Sequence, residues 1–515
     1  MTRAPILLAA LLLAAAALVS ADCTLDAWCA DGTPGCAADP CHDHLRDGDE
    51  TDLDCGGSCG PCAPGAGCAV PADCGEDRCF EGACCAPPCV VWARRDGGDG
   101  SDVAWGAAAL PDGTVVTAGE MHGTVDFGGG PLTAAGGTDV FVTARAPGGA
   151  LRWARRLGGS GEETFPRLAV TRDGRILLAG AFQSPTLDTG AGVLEGVQGA
   201  ASLFVLALSA SGETLAARAI PGAGASGGVK TIAAAADGGA VLTGQLGSFD
   251  FGDGAVLASP NADFDIFVAR LGPDLATVWS FALGDAGDDW IRGAALDAAG
   301  DLVITATSTS NTSYGGPPVA GPGLALAKYD GETGAHVWSR SYGENLTSFD
   351  VTAAPDGSIA VVGDLTAPAD LGTGKLVPRG LVDAFVARFD ATGTPTRVTQ
   401  ITSSSETYGL AVAPDAQGGL VAALRLTGTL RVVGGQTVSG PTGVDSVLLL
   451  GLDADGGPSW AKDVGGVVLD HTAVLLSGAP EGHLLLHGGF AGTLDLGGPL
   501  TSAGGSDAFV TEILP

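Results

Sequence analysis

The stretch GGSDAFVTEILP, residues 504–515, contains one strand pattern but lacks the second strand that follows this pattern elsewhere. Earlier in the chain, GGTDVFVTARAPGGALRWARRLGG (136–159) places a turn and a Trp-containing strand after the DxFV strand. An unpaired strand at a sheet edge promotes aggregation, so a stable domain must cover it. One spare copy of the Trp-type strand exists, VVWARR at Val90–Arg95. We therefore expect Val90–Arg95 to pair with the last strand.

The DxFV strand belongs to a repeat that occurs seven times. Its third residue recurs at steps of 58 to 63 residues, as Phe141, Phe204, Phe267, Ala325, Phe385, Val447 and Phe509. Each copy has a PDG-type turn between alternating apolar segments, and the copy as a whole indicates four short antiparallel strands. Repeated units of this kind predict an all-β, seven-bladed β-propeller over residues 90–515, in which the N-terminal strand closes the last blade. The repeated Phe and Trp residues are interpreted as packing between blades.

The repeat also resembles a known family. Units such as GDDWIRGAALDAAGDLVITATS (287–308) and VDAFVARFDATG (382–393) are similar to the bacterial repeat family named for seven-bladed β-propellers. The resemblance covers essentially residues 90–515, and the fourth unit departs most from it. It implies an exported propeller, and most members of that family have no assigned activity. Fold alone does not fix a function.

A cysteine-rich segment precedes the repeats, because all 13 cysteines lie between Cys23 and Cys89. Aliphatic residues are scarce there, so disulfides must replace a core, and we predict a disulfide-rich module over residues 22–89. The string GDETDLDCGGSCGPC (48–62) resembles a small Cys-rich module of exported myxobacterial-type proteins. The resemblance implies pairing, with connectivity open, among Cys41, Cys55, Cys59, Cys62, Cys68, Cys74, Cys79 and Cys84. It leaves Cys29, Cys36, Cys85 and Cys89 for further pairs, and Cys23 over.

The N-terminus has the pattern of an export signal over residues 1–21. Arg3 supplies the positive charge, Ile6–Val19 is apolar, and small residues lead to a cleavage position after Ala21. Cys23 leaves a second outcome open, an outer-membrane lipoprotein anchored at this cysteine, although Asp22 departs from the usual lipidation motif. We expect a secreted or cell-surface protein without a transmembrane helix.

The formal charge of −33 argues against partners that are nucleic acids or anionic lipids. We expect a monomer. Asp47, Asp49, Asp52 and Asp54 are oxygen donors at short intervals, and their pattern is compatible either with a calcium-binding loop or with a solvated turn. Calcium is the one cofactor that the sequence suggests.

A carboxylate also recurs ten to twelve residues before six of the seven DG-type turns. The residues are Asp102, Glu163, Asp289, Glu344, Glu406 and Asp470. The position precedes the strand expected to be innermost, so these carboxylates are expected around one mouth of the central channel. They either bind a cation or cationic ligand there, or are solvated loop acids.

Together these patterns predict an exported, non-catalytic binding scaffold for protein or glycan, with cation dependence open. The alternative is an extracellular hydrolase or lyase with its site at the channel mouth. An enzyme should break the sevenfold symmetry with clustered His, Arg and acidic residues. No single unit of the sequence shows such a cluster, and no catalytic residue is predicted.

Overall fold

The computed structural model describes residues 41–515 except 43, 47, 76, 224–226, 254–255, 260–263, 432–436, 440–444 and 468–473. The chain divides into two compact units, Met1–Cys89 and Val90–Pro515. The expected export signal and the residues Cys23, Cys29 and Cys36 lie outside the described part. No helix of the described residues is long and apolar enough to cross a membrane.

The first unit is held together by disulfides. The bonds are Cys41–Cys59, Cys55–Cys62, Cys68–Cys79, Cys74–Cys84 and Cys85–Cys89. Its regular elements are a 3₁₀ turn at Pro71–Cys74 and a hairpin of Arg78–Phe80 with Ala83–Cys85. The eight predicted module cysteines thus pair with one another. Cys59 and Cys62 of the CGPC string bond to different partners, so they form no dithiol pair of thioredoxin type.

The second unit is built from antiparallel sheets of four strands. In its first sheet, Asp112 starts a tight turn by accepting the backbone N–H of Thr114 at 2.9 Å, and Gly113 supplies a φ of 78°. The strands before and after this turn, Val103–Ala109 and Val115–Asp126, pair in register. The same Asp contact recurs in blades 3 and 5 of the sheets defined below, at Asp237 and Asp356. A Gly with positive φ recurs in every first hairpin, as Gly174, Gly238, Gly300, Gly357, Gly418 and Gly482.

Seven four-stranded groups follow one another and are numbered here as blades 1 to 7. Blades 1 to 3 consist of Val103–Ala109, Val115–Asp126, Pro131–Arg145, Leu151–Leu157; Glu163–Val170, Ile176–Phe182, Ser202–Leu208, Thr214–Ile220; and Gly228–Ala234, Ala240–Leu246, Asp265–Leu271, Thr277–Leu283. Blades 4 and 5 consist of Asp289–Leu296, Leu302–Ser308, Gly323–Tyr329, His336–Ser341; and Leu346–Ala353, Ile359–Leu365, Asp383–Phe389, Pro395–Ile401. Blades 6 and 7 consist of Glu406–Pro414, Leu420–Thr427, Ser446–Leu452, Pro458–Val467; and Val474–Gly478, Leu484–Asp495, Asp507–Leu514, Cys89–Asp96.

Shorter elements decorate this frame. Two-stranded hairpins follow the second strands of blades 2, 3, 5 and 6, and a short strand and a 3₁₀ turn belong to blade 7. Their bounds are Thr186–Asp188 with Val193–Glu195, Ser248–Asp250 with Val256–Ala258, Ala369–Asp370 with Lys375–Leu376, Thr429–Arg431 with Thr437–Ser439, Pro499–Thr501, and Pro480–Gly482.

The blades form a closed ring. The first strand of each blade contacts the first strand of the next, and the first strand of blade 7 contacts that of blade 1. The first strands are therefore innermost and surround a central channel, which makes this unit an all-β propeller. Five of the four-stranded groups are separate sheets, whereas blades 6 and 7 belong to one nine-stranded sheet because Pro458–Val467 also pairs with Leu484–Asp495. The seven groups are consistent with the predicted number of blades.

The strand Cys89–Asp96 completes blade 7, as expected. It lies beside Asp507–Leu514, and the Thr511 hydroxyl donates to the carbonyl oxygen of Trp92 at 2.8 Å. Arg95 pairs with the fully buried Asp507 at 2.6 Å, just as Arg156 pairs with Asp139 in blade 1. The N-terminal strand thus reproduces the contacts of an ordinary fourth strand and removes the open edge.

Large side chains join consecutive blades. Trp92 of blade 7 packs on the turn of blade 1 so closely that a Cβ on Gly149 would lie 2.9 Å from its ring. Trp153 of blade 1 donates its indole N–H to the carbonyl oxygen of Ala210 in blade 2, at 3.0 Å. Phe204 and Phe267 are fully buried in apolar clusters that each span two blades. The packing interpretation of the repeated aromatic residues is confirmed for these positions.

Candidate functional site

The central channel holds the first candidate site, a cavity of ≈ 290 Å³. All seven first strands contribute to its wall, in which apolar side chains such as Leu168, Ile232 and Val412 alternate with polar ones. Its charged or titratable side chains are Arg167, Lys230, Asp350 and His487. The wall is therefore not sevenfold symmetric, because each of these residues comes from a different blade.

The recurring carboxylates that belong to the described residues do not line this cavity. Asp102, Glu163 and Asp289 are fully buried. Each accepts hydrogen bonds from the loop that precedes its first strand. Asp102 accepts the backbone N–H groups of Gly98 and His122, both at 2.9 Å. Burial raises the pKa of all three carboxyls, that of Asp289 to about 6.

The expected open ring is not assembled by these three residues, because backbone and hydroxyl groups of the loops already occupy their oxygens. Glu163 accepts Gly159 N–H at 2.8 Å and Asp289 accepts the Thr312 hydroxyl at 2.9 Å. Glu344 is exposed and Glu406 half-buried, while Asp470 lies outside the described residues.

The acidic residues of the module likewise bond separate groups. Asp49 accepts the Ser58 hydroxyl at 2.7 Å, Asp52 accepts Gly67 N–H at 2.6 Å, and Asp54 accepts His44 N–H at 2.9 Å. Asp47 lies outside the described residues. Calcium binding by this loop stays a prediction.

Arg167 is the most firmly held cation of the cavity wall. Its Nε donates to the carbonyl oxygen of Lys230 at 2.9 Å, and one Nη donates to that of Trp105 at 3.2 Å. The guanidinium carbon lies 4.9 Å from the centroid of the Trp105 ring, a cation–π distance. Burial lowers the pKa of Arg167 to about 10, so it stays charged at neutral pH.

Asp350 and His487 complete the polar wall. Asp350 accepts the backbone N–H groups of Val351 at 2.9 Å and Val412 at 3.1 Å, and burial raises its pKa to about 6. His487 is 1% exposed, and burial lowers its pKa to about 3, so the ring is neutral at pH 7. Its Nδ1 has no hydrogen-bond partner among the described residues.

A second set of functional side chains lies where the first strands of blades 4 to 6 begin and the second strands end. Antiparallel register places these ends side by side, with Tyr408 opposite Arg425 and Thr347 opposite Asp364. We call this set the mouth cluster and define it as Trp290, Arg292, Phe349, Asp364, Tyr408 and Arg425.

Cation–π contacts connect the mouth cluster across blades. The Arg292 guanidinium lies 5.8 Å from the Trp290 ring and 5.9 Å from the Phe349 ring. The Arg425 guanidinium lies 4.6 Å from the Tyr408 ring. All three rings are half-buried, and Phe264 extends the aromatic surface by packing on Trp290 with ring centroids 4.4 Å apart.

Asp364 is the buried acid of the mouth cluster. Its residue is 7% exposed, and Oδ1 has no hydrogen-bond partner among the described residues. Burial raises the pKa of Asp364 to about 8, although the nearby Arg292 and Arg425 act in the opposite direction. At neutral pH this carboxyl therefore carries a proton.

The raised pKa predicts how Asp364 affects stability. In the unfolded chain this carboxyl ionises near its ordinary pKa of 3.8, whereas in the folded chain it holds its proton to about pH 8. Stability is therefore lost as pH rises from about 4 to about 8. We expect Asp364→Asn to be more stable than wild type at pH 9, by about 6 kcal/mol for a shift of about four pKa units, and equal to it at pH 4. Denaturant unfolding at both pH values measures this, and equal differences at both would contradict it.

The sequence search missed the mouth cluster for an identifiable reason. Asp364 and Arg425 stand seven residues after the Gly of the DG-type turn, where other blades have Glu120, Ala181, Gln245, Thr307 and Gly489. A search for repeats finds positions at which the same residue type recurs, whereas the residue type at this position differs from blade to blade. Aligning the seven units and reading the departures would have indicated blades 5 and 6.

Comparison with known proteins adds similarities but no family. No family model and no curated protein matches the chain. Among solved structures, BamB from Moraxella catarrhalis is 15% identical, covering 84% of this chain and 98% of its own, with a TM-score of 0.35. YCF48, solved bound to D1 peptide, is 10% identical over 82% and 95%, with a TM-score of 0.39. A puromycin hydrolase mutant is 14% identical over 78% and 58%, with a TM-score of 0.35. The propeller assignment rests on this chain's own sheets, and membership of the repeat family stays a prediction.

Proposed function

We propose that the protein is an exported, non-catalytic binding scaffold whose propeller holds a glycan at the mouth cluster. Half-buried aromatic rings offer stacking surfaces for the faces of sugar rings, and guanidinium groups bind acidic substituents through paired N–H donors. The mouth cluster combines both on three adjacent blades. The carrying observation is Arg292, which contacts two rings and has no ion pair among the described residues.

The same observation favours an acidic glycan over a neutral one. The charge of Arg425 is balanced by Asp445, at 3.2 Å, and Asp364 is protonated and neutral at pH 7. The charge of Arg292 is therefore not balanced within the mouth cluster, which is positive as a whole. The whole chain is strongly acidic, with a formal charge of −33. A local positive charge on such a protein selects a ligand that carries a carboxylate or sulfate at this one place.

Export is part of the proposal. The five disulfides of the first unit fit an oxidising compartment, which for a bacterial-type signal sequence means the periplasm, the cell surface or the medium. Lipidation at Cys23 would retain the protein at the outer membrane.

Binding to a glycan array tests the proposal. We expect the full mature chain to bind uronate-containing or sulfated glycans, and Arg292→Met to weaken this binding at least about tenfold, a loss of roughly 1.4 kcal/mol. Arg340→Met is the matched control, because Arg340 is an exposed arginine on the outer strand of the same blade. Binding that is equally strong in both variants, or an array without acidic hits, would contradict the proposal.

An enzyme is the second candidate, and Asp364 is the observation that favours it. A carboxyl with a pKa of about 8 can donate a proton at neutral pH, as a general acid in glycoside cleavage must. A hydrolase and lyase panel separates the two candidates. Turnover by wild type that disappears in Asp364→Asn while binding persists would replace the scaffold with an enzyme.

A further inference from the structure

The first strands of blades 1 to 6 share a β-bulge near the mouth of the channel. In each of these blades the register between the first and second strands shifts shortly after the first strand begins. A bulge leaves its extra residue out of the ladder and reorients the side chain. We call these residues the bulge row and define it, from blade 1 to blade 6, as Trp105, Phe165, Lys230, Arg292, Phe349 and Leu410. The first strands are related by rotation about the channel, so they run in one direction and place the bulge row at one mouth.

The bulge row includes two members of the mouth cluster. Arg292 and Phe349 are the bulge residues of blades 4 and 5, and the guanidinium of one lies 5.9 Å from the ring of the other. The position that supplies contacts to the proposed glycan therefore recurs in neighbouring blades. Further residues of the bulge row at this mouth are candidates for contacts with the same ligand.

Phe165 is the bulge residue that differs most from its counterparts. The register of blade 2 skips two residues, Phe165 and Pro166, whereas the other five blades skip one. Phe165 is 45% exposed and has a φ of 52°, which bulky residues rarely adopt. An aromatic ring held exposed in an unfavourable backbone conformation is typical of a ligand-binding position.

Contacts on two sides hold the Phe165 ring in place. It packs on Trp105 of blade 1 in a T-shaped arrangement with ring centroids 5.4 Å apart, and the Phe165 backbone N–H donates to Glu120 Oε1 at 2.6 Å. Towards blade 3, a Cβ on Gly228 would be 4.0 Å from the ring. The ring thus lies along the bulge row with part of its surface open to solvent. A ring preorganised in this way stacks on a sugar with little further loss of side-chain freedom.

The charges near Phe165 differ from those of the mouth cluster. Arg167, the cation at this end, is only 9% exposed, and the neighbouring Glu120 balances its charge. Lys230 is the next residue of the bulge row, but its charge acts on Asp350, so we assign it no contact with the ligand. Phe165 therefore offers an apolar stacking surface without an available positive charge, which suits a neutral sugar residue rather than an acidic one.

We propose that Phe165 forms a second subsite of the mouth, which stacks on a neutral sugar residue of the same glycan whose acidic residue is bound at Arg292. This inference rests on the proposed glycan binding, because it extends that ligand along the bulge row. The ligand class is thus a linear oligosaccharide that contains both acidic and neutral sugar residues. A short fragment held by the mouth cluster does not reach Phe165, so affinity depends on the length of the glycan.

Titration with oligosaccharides of two lengths tests the proposal. Hyaluronan fragments serve as probes, because a uronate alternates in them with a neutral N-acetylated sugar. We expect the full mature chain to bind the hexasaccharide at least about tenfold more tightly than the disaccharide. Phe165→Ala should weaken hexasaccharide binding at least about tenfold and leave disaccharide binding unchanged, whereas Arg292→Met should weaken both.

Three further variants separate stacking from a structural role. Phe165→Tyr keeps the ring and should retain the wild-type affinity. Phe165→Asn removes the ring with a residue type that adopts positive φ readily, so it should behave like Phe165→Ala. Leu215→Ala shortens an exposed side chain on the outer strand of the same blade and should change nothing. Circular dichroism checks that each variant is folded.

Ionic strength distinguishes the two subsites. Stacking does not depend on charge, so the loss in Phe165→Ala should be the same at ionic strengths of about 0.01 M and about 0.15 M, whereas the loss in Arg292→Met should be smaller at the higher value. Hexasaccharide binding that is unchanged in folded Phe165→Ala, or equally weakened for both lengths, would overturn the second subsite alone. Binding of other acidic glycans but not of hyaluronan would do the same. If no acidic glycan binds at all, the proposed function fails together with this inference.

Discussion

Deleting residues 90–96 should destabilise the propeller by on the order of 5 kcal/mol or more, or prevent its folding, whereas deleting residues 23–85 should change its stability little. The first deletion removes Trp92 from the turn of blade 1, leaves Asp507 without Arg95, and leaves Arg145 without Asp96. Asp507 and Arg145 are both buried, and an unpaired buried charge is strongly destabilising. The second deletion removes no strand of any blade.

Denaturant unfolding monitored by tryptophan fluorescence measures both deletions. The chain without residues 23–85 should also carry Cys89→Ser, because its disulfide partner Cys85 is removed and a free thiol would allow dimers. A synthetic peptide of residues 90–96 added to the shorter propeller should restore part of the lost stability. Equal effects of the two deletions would mean that blade 7 does not depend on this strand.

The second large effect is expected from Gly244→Ala in blade 3. Gly244 lies opposite Phe267 in register, and an added Cβ would be 2.1 Å from the Gly228 carbonyl oxygen and 2.5 Å from the Phe267 ring. Neither neighbour can move far, because Phe267 is fully buried and the carbonyl belongs to the innermost strand. Overpacking at such a site should lower the free energy of unfolding by about 3 kcal/mol.

Gly478→Ala is the matched control. Gly478 ends the first strand of blade 7, and a Cβ there meets no atom within 4 Å. We expect this substitution to change the free energy of unfolding by less than about 0.5 kcal/mol. If the two alanine variants unfold at the same denaturant concentration, the close packing of Phe267 on Gly244 is not what stabilises this blade.

The sequence predicted the features that follow from local rules and repetition. The DG-type turns and the pairing of Val90–Arg95 with the last strand required only spacing and alternation, and the disulfides among the eight module cysteines followed from the resemblance to a Cys-rich module. The Asp before a Gly-rich turn follows a local rule of the same kind, because Asp126 accepts the N–H groups of Gly128 and Gly130.

The candidate sites were not predictable in the same way. Arg167 and Asp350 are 183 residues apart in the chain, and they share one cavity only because the ring closes. The recurring acids led to an expected ring because each precedes the strand that was expected to be innermost. Whether a carboxylate faces solvent depends on which nearby N–H groups lack another partner. Asp102 accepts the N–H of Gly98 in the preceding loop and that of His122 in the second strand of the blade.

The strand that completes blade 7 must remain unpaired for much of the synthesis of the chain. The hydrogen bond from Thr511 to Trp92 joins residues 419 positions apart. The strand Cys89–Asp96 is therefore synthesised long before Asp507–Leu514, the strand with which it pairs. At translation rates of roughly 5–20 residues per second, that wait is on the order of 20–80 s. During this interval an apolar strand is open to other chains, and Arg94, Arg95 and Asp96 supply the charges that discourage such pairing. The charged residues of the strand that completes blade 7 are thus expected to protect the incomplete chain from aggregation as well.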